Sequence, residues 1–113
     1  MTAPATPAPP TVAASLIAIQ VTHTLGLASG GTYNLPLDMD HLEVHIGASA
    51  GYTPDATTRV GKIPVNGGMV TGSIPAVGSF DVSSTAAVYV KVIAVDRTGN
   101  RSTPSSAATT TAV

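Results

Sequence analysis

Residues 86–95 read AAVYVKVIAV, the longest stretch of the chain free of Gly and Pro in which β-branched residues dominate. In an extended chain Val88, Val90, Val92 and Ala94 fall on one side, and Tyr89, Lys91, Ile93 and Val95 on the other. Both sides are mostly apolar, which predicts a central strand covered in part on both faces. The residues that follow, Asp96-Arg97-Thr98-Gly99-Asn100-Arg101-Ser102, turn the chain, and the Thr/Ala-rich run from Ser105 to Val113 closes a hairpin.

Working outward, two further segments alternate with period two. In Leu16–Thr24, Ile17, Ile19 and Val21 share a face that His23 continues, and Ala18, Gln20 and Thr22 take the other. In His41–Ile46, Leu42, Val44 and Ile46 point inward, and His41, Glu43 and His45 are expected to face solvent. Residues 59–65 and 69–74 form two shorter strand candidates, joined by Asn66-Gly67-Gly68, whose residues tolerate the positive φ of a tight hairpin turn. Leu25–Asp40 and Gly47–Pro54 read as loops. No window shows helical periodicity. Six or seven short strands separated by turn signals predict a single antiparallel β-sandwich over residues 11–113. Residues 1–10, MTAPATPAPP, carry four prolines and predict an extended arm or linker.

Composition narrows the function. The 113 residues are 43% apolar, 4% aromatic and 10% charged, with no Cys and a net charge of -1. The charged share is under half of the roughly 25% usual for a soluble domain. A nearly balanced charge gives no electrostatic attraction to nucleic acid or anionic lipid. Without Cys there is no disulfide scaffold, thiolate zinc site or Cys nucleophile. No apolar run reaches the length of a membrane-spanning helix, and Met1 is not followed by the basic and apolar regions of a signal peptide.

Val90–Ser102, continued by Pro104-Ser105, resembles the end of a fibronectin type III domain. In that family the penultimate strand runs into a turn of the form A-V-D-x-x-G-N-x-S-x-P-S. The resemblance implies a positive-φ position at Gly99 and hydrogen bonds from Asn100 back to the turn. Pro9-Pro10-Thr11-Val12 matches the entry to the first strand, and Asp40–Ile46 the third. The ordered set Asp40–Ile46, Gly51-Tyr52-Thr53-Pro54, Val60-Gly61-Lys62-Ile63 and Val90–Ser105 is similar to fibronectin-like domains in minor tail proteins of phages infecting actinobacteria. It spans residues 9–113. The chain departs from the family where a Trp is usual in the second strand, here Val21. It departs again where a Tyr opens the penultimate strand, here Val88, with Phe80 as a substitute core aromatic.

Residues that suggest chemistry do not assemble into a catalytic set. Gly47-Ala48-Ser49-Ala50-Gly51 matches G-x-S-x-G, but that motif works only at a strand-to-helix turn, and Tyr52-Thr53-Pro54 follow instead. His41 and His45 on one strand lie about 13 Å apart at ~3.3 Å per residue, too far to share one zinc ion. The aspartates at 38, 40, 55, 81 and 96 are scattered and lack the spacing of a calcium loop. No R-G-D occurs. Neither a cofactor nor a metal is expected, and the chain reads as non-enzymatic.

The expected role is that of a structural module in a tailed-phage virion, as a minor tail or a capsid or tail decoration protein. It would be assembled in the bacterial cytoplasm and dock tail or capsid subunits in multiple symmetric copies, with host-surface glycan as a further contact. The alternative is a free-standing carbohydrate or adhesin-type binding module. The interaction surface is expected at the arm (Thr2, Pro4, Pro7, Pro9, Pro10), at the loop aromatics Tyr33 and Tyr52, and at the last turn (Arg97, Asn100, Arg101).

Overall fold

A computed structural model of the chain describes residues 4–15, 18–24, 27–31, 39–65, 75–81 and 87–111. These contain seven strands and no helix: β1 (Thr11–Ser15), β2 (Ala18–Thr24), β3 (Met39–Gly47), β4 (Arg59–Pro64), β5 (Pro75–Asp81), β6 (Ala87–Asp96) and β7 (Ala108–Thr111). They form a three-stranded sheet in the order β1-β2-β5 and a four-stranded sheet in the order β4-β3-β6-β7. Every pairing is antiparallel. The fold is therefore an immunoglobulin-like β-sandwich. Its fourth strand lies beside the third, on the opposite sheet from its place in constant-type immunoglobulin domains.

The inner faces follow the alternation. Ile19 and Val21 of β2, Leu42 and Val44 of β3, Ile63 of β4, and Val90, Val92 and Ala94 of β6 meet in one apolar core with Met39 and Val65. Each fully buried Val or Ile contributes about 1.5–3 kcal/mol. The only Phe takes the aromatic role in this aliphatic core. Phe80 packs over two glycines, so that a Cβ on Gly61 of β4 would lie 2.8 Å from its ring and one on Gly78 of β5 2.9 Å. The ring fills the space that these two side chains leave free.

β6 is central, between β3 and β7, as its two apolar faces require. β5, of sequence PAVGSFD, begins after residues 69–74, and those residues and the expected turn at 66–68 lie outside the described ones. β4 and β5 sit in different sheets, so the chain crosses the sandwich between them.

The last turn is built as its residues imply. Gly99 has φ 90°. Asp96 Oδ1 accepts hydrogen bonds from the backbone N of Thr98 and Asn100 at 3.0 and 2.9 Å, and Asn100 Nδ2 donates to Asp96 Oδ2 at 3.0 Å. Burial alone would raise the Asp96 pKa, but these donors outweigh it and hold the carboxyl below its ordinary value. Beyond the turn, the hydroxyls of Ser102 and Ser105 accept from the backbone N of Ala94 and Val92 at 2.9 and 3.0 Å. They continue the β6 edge without regular pairing until β7 starts.

The described part of the proline arm lies on its own domain. Ala8 N donates to Leu27 O at 3.1 Å and Ser29 N to Thr6 O at 2.8 Å. Pro4, Pro7 and Pro10 are buried and Pro9 is exposed. His23, itself buried, donates from Nε2 to Ala8 O at 2.9 Å.

Candidate functional site

The expectation that Glu43 and His45 face solvent is corrected by the structure: they are 6% and 1% exposed. Both do point to the outer face of β3, where side chains from three other segments cover them. Arg101 pairs with Val95 on the β6 edge away from β3, so its side chain crosses the outer face of β6 to reach Glu43. It donates from Nη2 to Glu43 Oε1 at 2.7 Å. Ile93 and Val95, on the same outer face, are buried to 4% and 5% exposure.

Arg59 comes from the other side. The β3–β4 register slips at Val44/His45, so that Gly61 pairs with Val44 and Arg59 with His45, and Val60 is bulged out. The bulge turns Arg59 onto the outer face and leaves Val60 exposed on an edge strand. Arg59 Nη1 stands 3.9 Å from Glu43 Oε2, an ion pair without a hydrogen bond.

His45 completes the cluster. Its Nε2 lies 3.0 Å from Glu43 Oε1, and because a carboxylate only accepts, this nitrogen carries the proton. Its Nδ1 faces Thr58 Oγ1 at 2.9 Å. Burial alone would raise the Glu43 pKa, but the hydrogen bonds and charges of His45 and Arg101 reverse the sign and hold it below the ordinary value.

The loop between β3 and β4 forms the rim. Asp55 Oδ1 accepts from Thr57 N, Thr57 Oγ1 and Thr58 N at 2.9, 2.6 and 3.1 Å, and these bonds, the Thr57 hydroxyl first, lower its pKa. Tyr52 ties the loop to the sheet. Its hydroxyl donates to His45 O at 2.8 Å and accepts from Lys91 N at 3.1 Å, while burial raises its pKa to about 12. Lys91 Nζ donates to Tyr52 O at 2.8 Å and lies 4.9 Å from the ring centre. Glu43, His45, Asp55, Ala56, Arg59 and Arg101 together line a cleft of about 320 Å³.

The residues expected to form an interaction surface have different surroundings in the structure. Thr2 and Tyr33 lie outside the described residues. Pro4, Pro7 and Pro10 of the arm are buried and Pro9 is exposed, Tyr52 is committed to the sheet, and Asn100 is bonded to Asp96 and to Thr98 Oγ1. Of the turn pair, Arg97 is exposed and Arg101 belongs to the cleft. Among the described residues no group of three or more His, Asp or Glu side chains is placed to hold a metal ion. Nor does Ser49, in the loop after β3, precede a helix.

No family model matches the chain. No curated protein matches it either. Among solved structures, the chain is similar to a beta-1,2-glucanase from Parabacteroides distasonis, with 18% identity and a TM-score of 0.57. The match covers 98% of this chain and 13% of that one, so this chain spans about an eighth of the glucanase's length. At that identity the likeness concerns the fold alone.

Glu43, Arg59 and His45 were absent from the expected interaction surface. Period-two alternation tells which face a side chain takes, not whether a distant segment covers that face. The cluster did leave one trace in the sequence: a strand alternating His, Glu and His with Leu, Val and Ile, in a chain otherwise so poor in charge.

Proposed function

We propose that the chain is a non-enzymatic structural module that docks to other proteins of a tailed-phage virion, as a tail component or a capsid or tail decoration. The observation that supports this reading is the outer face of the three-stranded sheet. Thr11 and Ala13 of β1, Gln20 and Thr22 of β2, and Val77 and Ser79 of β5 stand side by side there, by the register of the pairs Thr11/Thr22, Ala13/Gln20, Thr22/Val77 and Gln20/Ser79. All except half-buried Thr22 are exposed, Val77 to 47%, and none of these six is charged; the register sets one charged residue, Asp81 opposite Ala18, at the end of the same face. A broad face with a single charge at its end suits burial against neighbouring subunits, because desolvating its centre removes no charge from water.

The phage context rests on the fibronectin-like resemblance of residues 9–113, with tail or capsid subunits as partners and the virion as location. Repeated docking about a symmetric particle fits a small rigid sandwich. The glycan-binding alternative draws little from Tyr52, whose ring lies against Gly47 and whose hydroxyl is bonded into the sheet, so it offers no stacking platform.

The test is incorporation. Thr22→Lys and Val77→Lys variants are supplied during assembly of the phage proposed as its source, and purified particles are quantified for the chain. Wild-type incorporation with loss in both variants is the expected result. Equal incorporation of the variants removes this face from the proposal, and absence of the wild-type chain from particles overturns it.

A further inference from the structure

The basic residues of the molecule are one-sided. Of the five Lys and Arg residues, Arg59, Lys62, Lys91 and Arg101 serve the outer face of the four-stranded sheet; only Arg97 stands apart at the turn. Lys62 is the cross-strand neighbour of Glu43, and Lys91 that of His45. Against these cations stand a central carboxylate, Glu43, whose Oε1 is taken by Arg101 and His45, and Asp40, which is bonded to His41 and lies within the influence of Lys62. Asp55, at the rim, turns its Oδ1 to Thr57 and Thr58.

The arginine side chains remain open to solvent, Arg59 to 53% and Arg101 to 51%. A guanidinium carries five N–H donors in a fixed fork that matches a carboxylate. Arg101 uses one nitrogen on Glu43, and Arg59, at 3.9 Å, makes no hydrogen bond to it. The fold brings both guanidiniums to the cleft. Arg101 is held by Glu43 and by its pairing with Val95, and Arg59 starts from the bulge opposite His45. The result is a concave site with one anchored fork, Arg101, a second one beside it, Arg59, and spare donors on both, above a buried anion that is already satisfied.

We propose that the Arg59/Arg101 cleft is a socket for a side-chain carboxylate, an Asp or Glu presented by a docked protein. The inference rests on the reading of the chain as a docking module and gives it a second, chemically distinct face. The weakly charged face of the three-stranded sheet provides area, and the basic cleft on the opposite sheet provides register and selectivity for an acidic partner. Two unlike faces on opposite sides are what a head-to-tail contact between neighbours in a ring requires.

The test uses the purified full chain and N-acetyl-L-glutamate as the probe, with chloride at matched ionic strength as the control. Nitrogen-15 spectra resolve the Nε–H signals of Arg59, Arg101 and Arg97. Saturable shifts at Arg59 and Arg101, absent at Arg97 and absent with chloride, are expected. Arg59→Gln is expected to weaken the probe by about tenfold or more, the loss of a charge-assisted hydrogen-bonded pair. Should that variant fail to fold, Arg59→Lys keeps the charge without the fork, and a several-fold weaker probe affinity is expected.

Equal shifts at Arg97, equal shifts with chloride, or unchanged affinity in the folded variant would overturn the socket. Particles that lose the Thr22→Lys variant while the probe fails to bind would overturn the socket alone. Probe binding by a chain that never enters particles would overturn the docking reading instead.

Discussion

Replacing Gly47 by Ala exposes how tightly the cleft's rim is held. A Cβ built on Gly47 lies 2.3 Å from Tyr52 Cγ and 2.4 and 2.7 Å from its two Cδ atoms. Ordinary contact begins near 3.4 Å, so the ring must retreat by 3.4 − 2.3, about 1.1 Å. The ring cannot make that move and keep its hydroxyl between His45 O and Lys91 N, at 2.8 and 3.1 Å, since a hydrogen bond weakens steeply with such a displacement. Two hydrogen bonds at about 0.5–1.5 kcal/mol each and a cation–π contact near 0.5–1 are then weakened together. Overpacking of the ring itself costs about 1–3 kcal/mol when it cannot escape. Partial relief of one term comes at the expense of another, so the expected destabilisation is about 2–4 kcal/mol. That is a large share of the roughly 5–15 kcal/mol available to a domain.

The decisive form is a double-mutant cycle by urea unfolding. In a Tyr52→Ala background the added methyl meets no ring, and Gly47→Ala is expected to cost less than about 1 kcal/mol. A cost below about 1 kcal/mol in the wild-type background, or the same cost in both, would refute the account of the rim.

Three further outcomes follow from the same geometry. Glu43→Gln is expected to destabilise the chain by about 1–2 kcal/mol, since a charged hydrogen-bond acceptor is lost while half-exposed Arg101 recovers water; urea unfolding of the variant measures it. The buried His23 has a pKa lowered by burial, so the unfolded chain takes up its proton first. Stability is then complete above about pH 6.5 and falls as pH drops through the lowered folded value. Replacement by Phe should flatten that part of a stability–pH profile. Below it, Glu43, also lowered, adds a second loss as pH falls under the ordinary carboxyl range. Phe80→Ala should cost about 2–4 kcal/mol, slightly under the usual range for a fully buried Phe, and Gly78→Ala should be tolerated better in that background than in the wild type; thermal unfolding of the three variants reads both.

The parts of the fold that were legible are those where local chemistry and tertiary role agree. The two apolar faces of 86–95 require cover on both sides, and β6 lies inside its sheet with Ile93 and Val95 buried on the outer face. Asp96, Gly99 and Asn100 form their turn from their own side chains and backbone, so nothing distant was needed to foresee it. β5 was not legible: PAVGSFD opens with Pro and holds a Gly, and it is a strand through its pairing with β2, with the Phe80 ring against Gly78. The cleft was illegible for another reason. Arg101 is 58 residues from Glu43 and reaches it only because the Asp96–Arg101 turn brings the chain back along β6. Arg59 reaches the same face only through a one-residue bulge, which periodicity does not reveal.

The account of the molecule as a docking module is tested most directly by locating it in an intact particle. A reconstruction of purified particles of the phage proposed as its source, at a resolution that traces side chains, is predicted to show many symmetric copies. In each, Thr22 and Val77 should be buried against a neighbouring subunit. Particles that lack the chain, or copies whose three-stranded sheet faces solvent throughout, would contradict it.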